Sequence, residues 1–286
     1  MLAACGPFGS AAGPTGTIVV PPPPTPGVEP SPLQGNPNVK HVHAIATLGG
    51  AAPLVLGTHH GTEVISLAGV PVAASLDALK GDVLQVAYGA RGALYASGHN
   101  LGVQVSLDTG GTWQPLSAQL VGLDVHGMAI NPKDPTQMYV YAVGKGILFS
   151  IDAGATWAHV AGYADTHYLT GLSVTADGTL LAGSPDLGIA ASPDHGGTFD
   201  SVRSGPTQVF SIAASATDAN IVVAATDSGI FLTTNGGKDW QVGVSAEIVT
   251  AVGVDPTDAT RIYAGGVDGA VFVSRDGGNT FTPIGG

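Results

Sequence analysis

The strongest constraint on this chain is a short phrase that it repeats five times. SLDTGGTW (106–113), SIDAGATW (150–157), SPDHGGTF (192–199), TTNGGKDW (233–240) and SRDGGNTF (274–281) share a hydroxyl residue, an acid or amide two positions on, glycine, and an aromatic close. The acid or amide positions, Asp108, Asp152, Asp194, Asn235 and Asp276, stand 44, 42, 41 and 41 residues apart. That is the length of one four-stranded propeller blade. The phrase itself reads as a hairpin turn: Ser/Thr and Asp side chains bond the turn's own backbone, Gly supplies positive φ, and the aromatic packs back into the blade. Around each turn the same order recurs, as in IVTAVGVDPTDATRIYAGGVDGAVFVSRDGGNTFTPI from Ile248: strand A, a DP turn, strand B, a Gly turn, strand C, the phrase, strand D.

A sixth unit, HVHAIATLGGAAPLVLGTHHGTEVISLAG, comes first; its strand C ends near Ser66, but the phrase is missing. Six units predict an all-β, six-bladed β-propeller over residues 39–286. In strand A of the units, large apolar residues (Ile45, Met128, Ile130, Leu172, Ile212, Val252, Val254) alternate with small ones (Ala44, Gly127, Ala129, Gly171, Ala213, Gly253), as neighbouring blades packing large against small require. Charged residues make up only 10% and glycines number 43, a turn-rich β composition.

The repeats resemble those of the Asp-box, or BNR-repeat, propeller family, over about residues 40–286. Residues 2–6, LAACG, resemble a bacterial lipobox, which implies lipid attachment at Cys5. Residues 6–38 are rich in Pro, Gly and Ser, with four prolines at Pro21 to Pro24, the composition of an extended spacer. The expected organisation is a lipobox-like N-terminus and linker over 1–38 and a propeller over 39–286, exported, anchored to a membrane and monomeric. A net charge of -12 with scattered Lys and Arg argues against a nucleic-acid partner.

Aligning the blades on strand A makes His43, Leu84, His126, Thr170, Phe210 and Thr250 equivalent, with His41 and Asp124 one step nearer the rim. The turns between strands B and C add His59, His60, His99, Lys145, Asp186, Asp227 and Asp268, and His167 and Tyr168 open strand A of blade 4. Seven of the nine histidines thus fall on one rim, at blades 1 to 4; His159 and His195 fall elsewhere. Neutral imidazoles at His-x-His spacing on a strand suit a transition metal, Cu or Zn, with His41, His43, His59, His60, His99 and His126 as candidate ligands. Asp124, His167, Tyr168, Asp186 and Glu247 are candidates for holding a polar small molecule or glycan on the same rim. The runs H-V-H-A, T-H-H-G, S-G-H and D-V-H-G-M also resemble a group of bacterial surface lipoproteins labelled sialidase-like or glycosyl hydrolase-like, a resemblance that implies a link to metal, copper included.

An enzymatic reading fares unevenly. Sialidases of the Asp-box family need three convergent arginines, and Arg91, Arg203, Arg261 and Arg275 are spread over turns that cannot meet. A glycoside hydrolase needs only two carboxyl groups at a suitable separation, and Asp124, Asp165, Asp186, Asp227, Asp268 and Glu247 supply candidates. The family's xyloglucan-cleaving members resemble this chain in the repeat alone and carry two propellers. The sequence therefore predicts a binding module with a His-rich rim, the alternatives being a glycoside hydrolase or an assembly scaffold resembling the photosystem II assembly propellers.

Overall fold

The computed structural model describes residues 41–69, 79–202, 205–244 and 249–285. Cys5, the Pro-rich segment and Glu247 lie outside them. Six antiparallel sheets are present. Blade 1 has β1 (Val42–Thr47), β2 (Leu54–Thr58) and β3 (Gly61–Ile65). Blade 2 runs β4 (Val83–Tyr88), β5 (Leu94–Gly98), β6 (Gly102–Ser106), β7 (Gln114–Pro115), and blade 3 runs β8 (Val125–Ile130), β9 (Met138–Ala142), β10 (Gly146–Ser150), β11 (Ala158–Val160). Blade 4 holds β12 (Gly171–Val174), β13 (Leu180–Ser184), β14 (Gly188–Ser192), β15 (Asp200–Ser201), and blade 5 holds β16 (Val209–Ala214), β17 (Val222–Thr226), β18 (Gly229–Thr233), β19 (Gln241–Val244). Blade 6 consists of β20 (Val249–Asp255), β21 (Asp258–Gly266), β22 (Val271–Ser274) and β23 (Thr282–Pro283). The innermost strands pack in a ring, β1 on β4, then β8, β12, β16, β20 and back to β1. This is the six-bladed propeller that the repeat predicts.

Large-against-small packing joins the blades. A Cβ on Gly127 would meet the Leu172 side chain, one on Gly171 would meet Ile212, and one on Gly253 would meet Ile45, each from the next blade. Blade 6 supplies its own outer strand, so blades 6 and 1 meet through side chains: Ala251, Tyr263 and Val271 pack with Val42, Ile45 and Leu54. At the end of the ring where strands A and B join, the fully buried Asp255 accepts from the Gly50 backbone at 3.0 Å and pairs with Arg261 at 3.1 Å, while Arg261 also donates to the Gly50 carbonyl at 2.7 Å.

The repeated turns lie at that same end. Ser106 Oγ donates to Asp108 Oδ1 at 2.7 Å, Asp108 accepts from the Thr112 N–H and hydroxyl at 2.8 Å each, and Trp113 Nε1 reaches back to the Gly110 carbonyl at 3.1 Å. Two successive residues take left-handed backbone, as at Thr109 (φ 61) and Gly110 (φ 98), which is why the second is always glycine. His195 sits in the blade 4 turn, stacked on Phe149 and bonded to the Tyr139 hydroxyl at 2.6 Å.

Candidate metal centre

At the opposite end, a fault in strand A recurs around the ring. In β1, β4, β8, β16 and β20 the register with strand B slips by one residue near the strand start. The extra residues are His43, Leu84, His126, Phe210 and Thr250. Each follows a buried Val: Val42, Val83, Val125, Val209 or Val249. A bulge breaks the two-residue alternation and re-aims one side chain. Here the freed side chains, with Thr170 of blade 4, line the mouth of the central channel, a depression of about 410 Å³. Two of them stitch the ring, since the Thr170 hydroxyl donates to the Val209 carbonyl and the Thr250 hydroxyl to the Val42 carbonyl, each at 2.6 Å.

On blades 1 to 3 the mouth is polar. His41 and His43 reach it from the start of β1, and His59 joins them from the turn between β2 and β3. His43 Nε2 lies 3.2 Å from His59 Nδ1, and His41 Nδ1 lies 2.7 Å from His59 Nε2. His41 holds a left-handed backbone (φ 59), a conformation that costs a non-glycine residue about 1 kcal/mol and tends to mark a working position. Across blades 2 and 3, Asp124 Oδ1 takes hydrogen bonds from His99 Nδ1 at 2.8 Å and His126 Nε2 at 3.0 Å. Tyr168 brings its hydroxyl within 2.7 Å of His126 Nδ1. Gln85 donates to the His126 carbonyl at 3.2 Å and fixes its backbone.

Between the two groups stands a residue the sequence reading passed over, Asp82. Its Oδ1 lies 3.3 Å from His43 Nε2 and 3.1 Å from His59 Nδ1, and its Oδ2 lies 3.7 Å from His99 Nε2. Among the described residues, Oδ1 is nevertheless buried without a hydrogen bond. Asp82 precedes the blade 2 bulge as His41 and Asp124 precede theirs, and the matching GDV (81–83) and LDV (123–125) runs were the available signal. Its backbone is held as well: the Asp82 carbonyl accepts from the His99 N–H at 3.2 Å, and a Cβ on Gly98 would collide with that carbonyl.

The surroundings of His41, His43 and His126 favour their neutral form. Burial, helped by His41, pushes the His43 imidazole down to about 4. Burial also lowers His41, with His59 beside it, and lowers His126 against the opposing pull of Asp124. A neutral imidazole carries the lone pair that a metal needs. Burial raises the Tyr168 phenol, which therefore remains a donor.

The other expected residues are distributed as follows. His60 is exposed beside His59 and joins neither donor group, and Asp186 is an exposed turn residue. His167 lines a separate depression of about 560 Å³, where His159 Nε2 meets Asp165 Oδ1 at 2.7 Å. Sequence alignment set His159 apart from the rim group; the structure places it beside His167. Among the described arginines, Arg91, Arg261 and Arg275 lie at the end of the ring away from the mouth.

Neither a protein-family model nor a curated protein matches the sequence. Among solved structures, the chain is similar to the GH74 enzyme of Niastella koreensis (13% identity, TM-score 0.57, covering 85% of this chain and 46% of that one). It is likewise similar to the GH74 xyloglucanase from Xanthomonas campestris (17% identity, TM-score 0.57, covering 83% and 45%). At these identities the likeness establishes the propeller fold, and the chain spans about half the length of either enzyme.

Proposed function

We propose that this chain is a binding module of the Asp-box propeller type, lipid-anchored outside the cytoplasm through Cys5, whose channel mouth holds a transition metal, Cu or Zn. One observation carries the reading. His43 Nε2, His59 Nδ1 and Asp82 Oδ1 form a triangle with edges of 3.2, 3.1 and 3.3 Å. Ligands at 2.0–2.1 Å from a tetrahedral ion stand roughly 3.3 Å from one another, so the three atoms occupy three corners of such a site. The buried Oδ1 without a hydrogen bond supports it further, since an unpaired buried carboxylate oxygen is costly unless a cation satisfies it.

The test uses the full chain loaded with Cu(II) or Zn(II) and desalted, beside Asp82→Ala and His43→Ala, with metal measured by elemental analysis. A single equivalent retained by the parent and lost from both variants is the expected result. Equal retention in all three, or none in the parent, rejects the site.

A second reading, glycoside hydrolysis, is supported by the fold shared with the two GH74 proteins and by Asp82 and Asp124 on one rim. It predicts release of sugars from xyloglucan that persists in chelator; the metal reading predicts none.

A further inference from the structure

The mouth offers two groups of donors, His41, His43 and His59 on blade 1, and His99, Asp124 and His126 on blades 2 and 3. Proximity alone makes them two metal sites, but their bonding sets them apart. In the second group a single oxygen, Asp124 Oδ1, lies 2.8 and 3.0 Å from two ring nitrogens. These are hydrogen bonds to a carboxylate, which only accepts, so each of the two ring nitrogens carries a proton there and offers no lone pair to a metal. His126 is engaged at both nitrogens, by Asp124 and by Tyr168. The one nitrogen left over is His99 Nε2: with Nδ1–H given to Asp124, the neutral ring carries its lone pair on Nε2, which faces Asp82 Oδ2 at 3.7 Å.

The first group shows the same logic. If His59 ligates through Nδ1, its Nε2 carries the proton, and that proton has an acceptor in His41 Nδ1 at 2.7 Å. Metal-bound histidines commonly give their second N–H to a partner that fixes tautomer and ring plane. Both histidines here possess one.

We propose that the mouth binds one metal ion, not two, held by His43 Nε2, His59 Nδ1, Asp82 Oδ1 and His99 Nε2. Asp124, backed by His126 and Tyr168, is a positioning residue for His99, and His41 is a positioning residue for His59. The inference rests on the metal reading above, and it adds a stoichiometry, a fourth ligand and a supporting chain that runs through three blades.

Co(II) is the probe, because its visible absorption reports ligand number and geometry while dialysis gives stoichiometry and affinity. The full-length parent is expected to bind a single equivalent. His99→Ala changes the visible band, as loss of a ligand must. Asp124→Asn keeps the single equivalent but binds about 10- to 100-fold more weakly, with a shifted band that a purely structural role would leave alone. Tyr168→Phe, which removes one hydroxyl from a ring 42% exposed, shifts the band in the same direction and keeps the test open if another variant fails to fold. Two equivalents in the parent, or spectra of His99→Ala and Asp124→Asn that match the parent's, overturn the inference and leave the metal reading standing. A parent that retains no Co(II), Cu(II) or Zn(II) overturns both.

Discussion

In four of the repeated turns a threonine hydroxyl donates to the second carboxylate oxygen of the turn aspartate: Thr112 to Asp108, Thr156 to Asp152, Thr198 to Asp194 and Thr280 to Asp276. Blade 5 reverses the polarity. Asn235 Nδ2 donates to Asp239 Oδ2 at 2.8 Å, the carboxylate having moved to the threonine's place. Asn235→Asp alone therefore sets two carboxylates against each other and should cost about 1 kcal/mol. Adding Asp239→Thr recreates the turn of the other blades and should restore the loss. Urea denaturation of both variants checks this, and a double variant no more stable than the single one contradicts the assigned donor. At the same scale lies the sequence reading's main omission. His43 and His126 were legible because the blade repeat makes them equivalent and histidine stands out. Asp82 was not, because blade 2 carries Leu84 at the histidine position, so no imidazole marks the acid two residues earlier. Nor does the sequence distinguish His59 from His60, since successive residues in a turn obey no period.

Elements, rather than residues, set the response to acid. Hydrogen bonds from the threonine four residues on, through its N–H and hydroxyl, hold Asp108, Asp152, Asp194 and Asp276 at about 2. A carboxylate held below its unfolded value near 3.8 contributes stability at higher pH that disappears as pH falls through the folded value. The turns of blades 2, 3, 4 and 6 should weaken together between about pH 4 and pH 2. A second, higher window comes from His43: near 4 when folded and 6.5 when unfolded, it takes up its proton more readily unfolded, so stability declines as pH drops from 6.5 toward 4. Urea midpoints across pH 8 to 2 should show two declines, and His43→Gln should remove much of the upper one. A flat profile across both windows refutes the two assignments. The strands themselves were legible almost in full, because turn phrases and alternating apolar residues bound them. The bulges were hidden, since one extra residue in a strand changes no composition and only the pairing reveals it.

For the whole molecule the vulnerable point is the seam between blades 6 and 1. Among the described residues no strand is shared across it, and the seam depends on apolar packing, on the Thr250 hydroxyl bonded to the Val42 carbonyl, and on Asp255. Burial pushes the Asp255 carboxyl up, but bonds from Thr257 and Gly50 and the charge of Arg261 outweigh it and leave it below the ordinary value. Asp255→Ala removes the acceptor of the Gly50 N–H and one partner of Arg261, which keeps the Gly50 carbonyl and Asp258, and should cost about 1.5–3 kcal/mol, the range for hydrogen bonds to a charged group. Chemical denaturation measures it, and a loss below about 1 kcal/mol, the level of an exposed pair, would show that the ring closes without help from Asp255. Closure was beyond the sequence, because Gly50 and Asp255 meet in space but stand 205 residues apart in the chain, and nothing local links them.

The bulge repeated in strand A separates two kinds of information in this ring. Further along the strand the small and large side chains hold neighbouring blades together, whereas the displaced residue stands at the channel mouth. The six equivalent places carry imidazole, isobutyl, imidazole, hydroxyl, phenyl and hydroxyl groups in turn around one scaffold. The two hydroxyls are tied to the next blade's backbone, but His43, Leu84, His126 and Phe210 behave as sockets on a dial, where substitution changes the lining of the mouth and leaves the scaffold beneath it alone.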